Sequence, residues 1–244
     1  MKEEKIIKDK GILSISNLSV FYGKHLALDN ISLDIYRKEI FLIIGHNGAG
    51  KTTLVNACMG IISKVEGDII LSDKSIVNLP IRKRLELGIA LVPQGKGIFN
   101  DLTVLENLII AHSTMDKRVR QSFQDKLEKI FTLFPDLFKF RKEFAGKMSG
   151  GQQRMLAISM ALIKEPKILL MDEPSLGLSP ALTEKIYDFI TLIIKDGEIT
   201  IVLIEQDVFR ASQISNRVCI LRSGRLINIL SPLELDDKLL WEAF

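Results

Sequence analysis

Apolar residues along this chain fall into runs of two kinds. The first kind is continuous and stops at a glycine or an acid: EIFLIIG over 39–45, KILLMDE over 167–173 and TIVLIEQ over 200–206. A strand covered on both faces has no wet side to show, so these runs predict buried strands of a parallel sheet. RVCILRSGRLI (217–227) continues the series, and ILSISNLSVFY (12–22) alternates at period two, which predicts a further strand near the N-terminus. The second kind has helical spacing. In TEKIYDFITLIIKDG, Ile186, Phe189, Ile190, Ile193 and Ile194 share one face, and Gly197 is the expected stop. Strand, helix and strand in repetition predict an α/β fold, a parallel sheet with helices on its faces.

The middle of the chain breaks that rhythm. From about Leu102 to Ile163 the pattern is helical, with Val119, Phe123, Leu127, Ile130, Phe131 and Phe134 on one face until Pro135 interrupts. This predicts a helical subdomain inserted into the α/β core.

Composition narrows the class without changing this outline. The chain has 244 residues, 47% hydrophobic and 26% charged, the balance of an ordinary globular protein with one large domain or a domain and a subdomain. A net charge of +3, with Lys and Arg scattered, argues against a nucleic-acid partner. The short cluster Arg82, Lys83 and Arg84 reads as a solvated helix face. Cys58 and Cys219 lie far apart with no CxxC, which excludes a disulfide framework and fits a reducing compartment. The opening MKEEKIIKDK has no apolar core and reads as a flexible tail over 1–10 rather than a signal peptide. No apolar run approaches the roughly 18–20 residues that a spanning helix needs. Any membrane role must come through a partner.

Candidate chemistry starts in FLIIGHNGAGKTTLVNACMG, which reads as a strand, a G-x-x-x-x-G-K-T loop and a helix ending at Gly60. Gly45, Gly48 and Gly50 let the backbone of Gly45, His46, Asn47, Gly48, Ala49 and Gly50 curl until its N–H groups face phosphates. The new helix adds its positive end through Lys51, Thr52 and Thr53. Lys51 reaches the outer phosphates as a point charge, and the Thr52 hydroxyl is a ligand for Mg²⁺. This loop predicts nucleotide binding. Further on, ILLMDE sets Asp172 at a strand tip, placed to hold Mg²⁺ or its water. Glu173 beside it could orient or deprotonate an attacking water.

A second anion-binding segment, KMSGGQQRM over 147–155, has a serine and two glycines opening a helix expected over 152–163. It carries no phosphate-loop lysine. Together, GHNGAGKTT, MSGGQ and ILLMDE, in this order, resemble the ATPase subunit of an ABC transporter, and the resemblance covers nearly the whole chain. It implies that two such subunits pair head to tail, so that Ser149, Gly150, Gly151 and Gln152 close over the ATP held by the other subunit. The second segment then needs no lysine of its own. The resemblance also implies that Tyr22 in VFYG stacks on adenine. Gln94 in LVPQ would sense Mg²⁺ and the γ-phosphate and face the membrane partner.

The implied fold is a phosphate-loop NTPase (RecA-like) core with a mainly parallel sheet, an antiparallel N-terminal β part and an inserted α-helical subdomain. The ATPase domain would span 11–244, with core over 11–94 and 165–244 and helical subdomain over about 95–164. Two positions depart from the common family pattern. Ser179 ends the loop after Glu173 where aspartate is usual, and Gln206 in LIEQD stands where a switch histidine is expected. Glutamine can hydrogen-bond a phosphate but cannot gain a proton. Both departures resemble the second ATPase of branched-chain amino acid importers, although that subfamily commonly has glutamate where Gln94 stands.

The resemblance therefore implies an ATP-hydrolysing motor using ATP and Mg²⁺, with Glu173 and Gln206 as its catalytic pair. It would be cytoplasmic and peripheral on the inner face of the cell membrane. Its partners would be a second ATPase subunit (itself or a paralogue), transmembrane permease subunits and, indirectly, a solute-binding protein. Two other readings remain: a motor for another cargo, such as urea or an envelope lipid, and a soluble ABC ATPase outside transport.

Overall fold

The computed structural model describes residues 11–113, 123–196 and 199–236. The expected tail over 1–10, Val119 on the helical face and the Gly197 stop lie outside the described residues. In chain order the strands are β1 (Leu13–Tyr22), β2 (His25–Ile35), β3 (Ile40–Ile44), β4 (Val65–Leu71), β5 (Lys74–Ser75), β6 (Ile89–Val92), β7 (Ile168–Asp172), β8 (Thr200–Ile204), β9 (Arg217–Arg222) and β10 (Arg225–Leu230). The helices are α1 (Lys51–Met59), α2 (Ile81–Leu87), α3 (Val104–Ser113), α4 (Phe123–Leu133), α5 (Pro135–Lys139), α6 (Gly150–Leu162), α7 (Pro180–Asp196) and α8 (Val208–Ile214).

Two sheets result. A four-stranded antiparallel sheet runs β2-β1-β4-β5, and a six-stranded sheet runs β10-β9-β3-β8-β7-β6. In the larger sheet every pairing is parallel except β10 with β9. The continuous apolar runs have a direct physical basis, because β3, β7 and β8 are buried at every residue. Their side chains alternate between two cores. Leu42, Leu169 and Leu203 face a core shared with α3, α4, α6 and α7, whereas Phe41, Leu170 and Val202 face one shared with the antiparallel sheet and α1.

Among the described residues of the middle region, α3, α4, α5 and α6 each contribute to the first core. Pro135 interrupts as its chemistry demands. α4 ends at Leu133 and the proline opens α5 at its first position, where a missing N–H costs nothing. α6, the helix opened by the second anion-binding segment and its signature residues Ser149–Gln152, begins two residues earlier than its sequence pattern suggests, with both glycines inside its first turn.

One expectation is corrected. Arg84 is not on a solvated face but buried, at 2% exposure. Its guanidinium donates to Ala57 O and Cys58 O at 2.7 and 2.8 Å, to Val77 O at 2.7 Å and to Leu79 O at 2.9 Å. Carbonyls at the end of α1 are the negative pole of its dipole, so a buried cation there is satisfied by backbone alone. Arg82 and Lys83 stay exposed and pair with Glu86. Both cysteines are free and buried. No helix among the described residues is long and apolar enough to cross a membrane.

Candidate active site

β3 ends where the phosphate loop begins. Gly45 has φ +149°, and a Cβ there would lie 2.1 Å from the carbonyl oxygen of Leu221, at the end of the neighbouring β9. Gly50 caps α1 at φ +104°, with Leu28 Cδ2 2.5 Å from where its Cβ would be. Only glycine allows this turn to pass so close to β2 and β9. A second turn supports the loop from outside: Gly224 N–H donates to Ala49 O at 3.0 Å, and Asp29 N–H donates to Gly224 O at 2.8 Å.

Lys51, the first residue of α1, is buried and donates through Nζ to Gly45 O at 2.6 Å and His46 O at 3.2 Å. Burial pulls its pKa below the usual lysine value, and the carboxylates of Glu173 and Asp172 act in the opposite direction. The His46 ring contacts Asn47 O at 2.7 Å through Nδ1. Thr52 and Thr53 follow in the first turn of α1. The loop opens into a cleft of about 560 Å³ whose lining also includes Tyr22, Gln94 and Glu173. Tyr22, at the end of β1, is half exposed on its rim.

β7 delivers the two acids. Asp172 is its last residue, 3% exposed, and the Thr52 hydroxyl lies close enough to its carboxylate to favour the charged form. Burial raises the Asp172 pKa above the ordinary aspartate value; the nearby Thr52 hydroxyl opposes this, the Glu173 charge reinforces it, and Lys51 and Arg154 oppose it. Its Oδ1 is buried without a hydrogen-bond partner. Such an orphaned oxygen beside a hydroxyl is a donor set of the hard type that suits Mg²⁺, which takes one or two carboxylates and completes its shell with water and phosphate.

Glu173, 5% exposed, turns off the strand with φ +48°. Two amides converge on its Oε2, Gln94 Nε2 at 2.8 Å and Gln206 Nε2 at 3.0 Å. Gln94 comes from the segment after β6 and Gln206 from the segment after β8, so three neighbouring strand ends meet at one carboxylate. This leaves Oε1 as the oxygen able to take a proton from water.

The structure thus brings together Tyr22, the loop from Gly45 to Thr53, Gln94, Asp172, Glu173 and Gln206. The signature residues stand apart from this cleft: none of Ser149, Gly150, Gly151 or Gln152 lines it. Ser149 caps α6 in a capping box, its N–H donating to Gln152 Oε1 at 2.9 Å and its Oγ accepting from Gln152 N–H at 3.4 Å. Ser179, the departure in the loop after Glu173, is the residue before α7 and accepts from Leu182 and Thr183 through its carbonyl.

Sequence reasoning missed Arg154 and Glu205, both buried beside the two acids. The position of Arg154 two residues after the signature was visible, but its partners are distant backbone carbonyls, which no side-chain pattern reveals.

Comparison with known proteins places this geometry. Residues 28–176 match the family described as "ABC transporter". The chain is 38% identical over 216 residues to the high-affinity branched-chain amino acid transport ATP-binding protein BraG of Pseudomonas aeruginosa, covering 88% of this chain and 91% of that one. It is also 38% identical over 215 residues to the probable branched-chain amino acid transport ATP-binding protein LivF of Archaeoglobus fulgidus, covering 88% and 90%. Among solved structures, the ADP conformation of an ATP-binding cassette of an ABC transporter superposes with a TM-score of 0.80 at 27% identity, covering 94% of this chain and 97% of that one.

Proposed function

The chain belongs to the ABC transporter family of ATPases, and from that premise we propose that it powers the import of branched-chain or other amino acids. The observation that carries the motor reading is the Glu173 carboxylate, held by the Gln94 and Gln206 amides at the rim of the phosphate-loop cleft. The cargo reading is carried by the two relatives named for branched-chain amino acid transport.

In this reading ATP lies with its adenine on Tyr22 and its phosphates on the backbone N–H groups from Gly45 to Thr53. Lys51 exchanges its carbonyl partners for the outer phosphates. Thr52, Asp172 and Gln94 would hold Mg²⁺, which would supply charge neutralisation on the phosphate oxygens. Glu173 takes the proton of the attacking water through Oε1, and Gln206 positions the carboxylate and reaches toward the γ-phosphate.

Ser149, Gly150, Gly151 and Gln152 serve the nucleotide of a second ATPase subunit, identical or paralogous. Their distance from the cleft of their own chain supports this assignment. Permease subunits anchor the pair at the cytoplasmic face of the membrane, and a solute-binding protein delivers the cargo to them. The chain divides into a core over 11–94 and 165–244 and a helical subdomain over about 95–164.

The test is capture of permease subunits from detergent-solubilised membranes by the chain, followed by reconstitution of the complex. ATP-dependent uptake of labelled leucine into proteoliposomes is expected. Vigorous ATP hydrolysis without uptake of any amino acid would remove the cargo reading and leave the motor.

A further inference from the structure

Glu173 keeps a left-handed backbone, φ +48°, that a long side chain holds only where its surroundings over-determine it. Those surroundings grip the main chain on both sides. Glu173 N–H donates to Ile204 O at 2.9 Å, which extends the β7–β8 ladder by one bond. The carbonyl of Glu173 accepts from Arg154 Nη2 at 3.4 Å. Two residues on, Ser175 donates to Glu205 twice, from its N–H to Oε1 at 3.0 Å and from its Oγ to Oε2 at 2.8 Å.

Arg154 does a second thing. Its Nη1 donates to Pro93 O at 3.0 Å, the carbonyl immediately before Gln94. One planar fork therefore fixes the backbone at both ends of the 2.8 Å bond between Gln94 and Glu173. Arg154 is 6% exposed, and its charge also faces the carboxylates of Glu205 and Asp172. Its own helix, α6, starts at the signature glycines, and Arg154 follows Gly150 by four residues, one turn along the same face. Burial raises the Glu205 carboxyl to about 7, so this clamp is made of groups held out of water at some cost.

We propose that Arg154 and Glu205 are positioning residues that lock the main chain around Glu173, and that Arg154 makes the register of the signature helix set where the base stands. The inference rests on Glu173 being the base, and it adds a route by which engagement of Ser149–Gln152 by a nucleotide is felt at the catalytic carboxylate of the same chain. A displacement of the start of α6 pulls one guanidinium, and with it both carbonyls.

The test uses the full chain with its membrane partner. Arg154→Lys keeps a charge but not the rigid fork, so kcat is expected to fall about tenfold or more while KM for MgATP stays within about threefold. Glu205→Gln keeps one acceptor for Ser175 and should lower kcat by a smaller factor, again at unchanged KM. The link to the signature is read from a cycle with Ser149→Ala, whose fold-loss in turnover should shrink in the Arg154→Lys background because the connection is already cut. Wild-type kcat in Arg154→Lys, or losses that simply multiply in the double variant, would overturn the proposal. Should Arg154→Lys lose its folded circular dichroism spectrum, Glu205→Gln carries the decision, and wild-type kcat there refutes the clamp. Full turnover by Glu173→Gln is a separate outcome, which removes the base assignment itself.

Discussion

Two helices of this protein, α1 and α6, begin on glycines, and the glycines meet different needs. At α1 they set the backbone. Gly45, Gly48 and Gly50 all have positive φ, no side chain caps the helix, and its first residue is a buried lysine. At α6 neither glycine has a positive φ; Gly151 makes room for Leu182, whose Cδ2 would be 2.8 Å from a Cβ, and Gly150 has nothing closer than 3.9 Å. There a serine and a glutamine already satisfy part of the helix start. The first loop is thus a complete anion site with donors, dipole and cation, whereas the second offers a bare approach at Gly150 and brings no cation. Glycine content alone does not separate these cases; the residues between and after the glycines do.

The contrast can be broken most forcefully at Gly45. Gly45→Ala puts a Cβ 2.1 Å from Leu221 O in a strained backbone, and a loss of about 4 kcal/mol or more is expected in urea unfolding. Gly150→Ala should change stability by no more than about 0.5 kcal/mol while turnover falls. Equal destabilisation by the two would erase the distinction. Next in size, Lys51→Ala should weaken MgATP binding by about a hundredfold or more, near 2.7 kcal/mol, in calorimetric titration. Unchanged affinity would mean that the first loop does not depend on its cation.

Gln206→Ala should slow turnover by about ten- to a hundredfold, roughly 1.4–2.7 kcal/mol, because Glu173 Oε2 loses one of its two amides. Gln206→His should stay active and acquire an acid-side dependence between about pH 6 and 7 that is absent from the parent profile. The smallest effect belongs to the second loop. Gln152→Ala removes half of the capping box and should cost about 1 kcal/mol in thermal unfolding, a loss with no counterpart at α1, which has no side-chain cap.

What could be read in the sequence follows from how local its cause is. β3, β7 and β8 were legible because burial on both faces leaves an unbroken apolar run. The phosphate loop was legible because its glycines, lysine and threonine act within one turn of chain. β2 and β4 were harder: Asn30 and Gly67 interrupt them with positive φ, and β6 is only four residues long. Arg84 misled because its charge is answered by carbonyls of Ala57 and Cys58, which no neighbouring acid announces. The left-handed turn at Glu173 was equally hidden, since Ile204, Arg154 and Glu205 reach it from other elements.

The alternation of β3 between two cores also bears on how the protein opens. Leu42 and Ile44 belong to the helical side, Phe41 and Ile43 to the side of the antiparallel sheet, and both sets hang from one five-residue strand. Neither layer can detach without exposing the strand that the other needs. The amides of Ile40–Ile44 should therefore exchange with solvent only through global unfolding, so that the phosphate loop hangs from the last part of the molecule to melt.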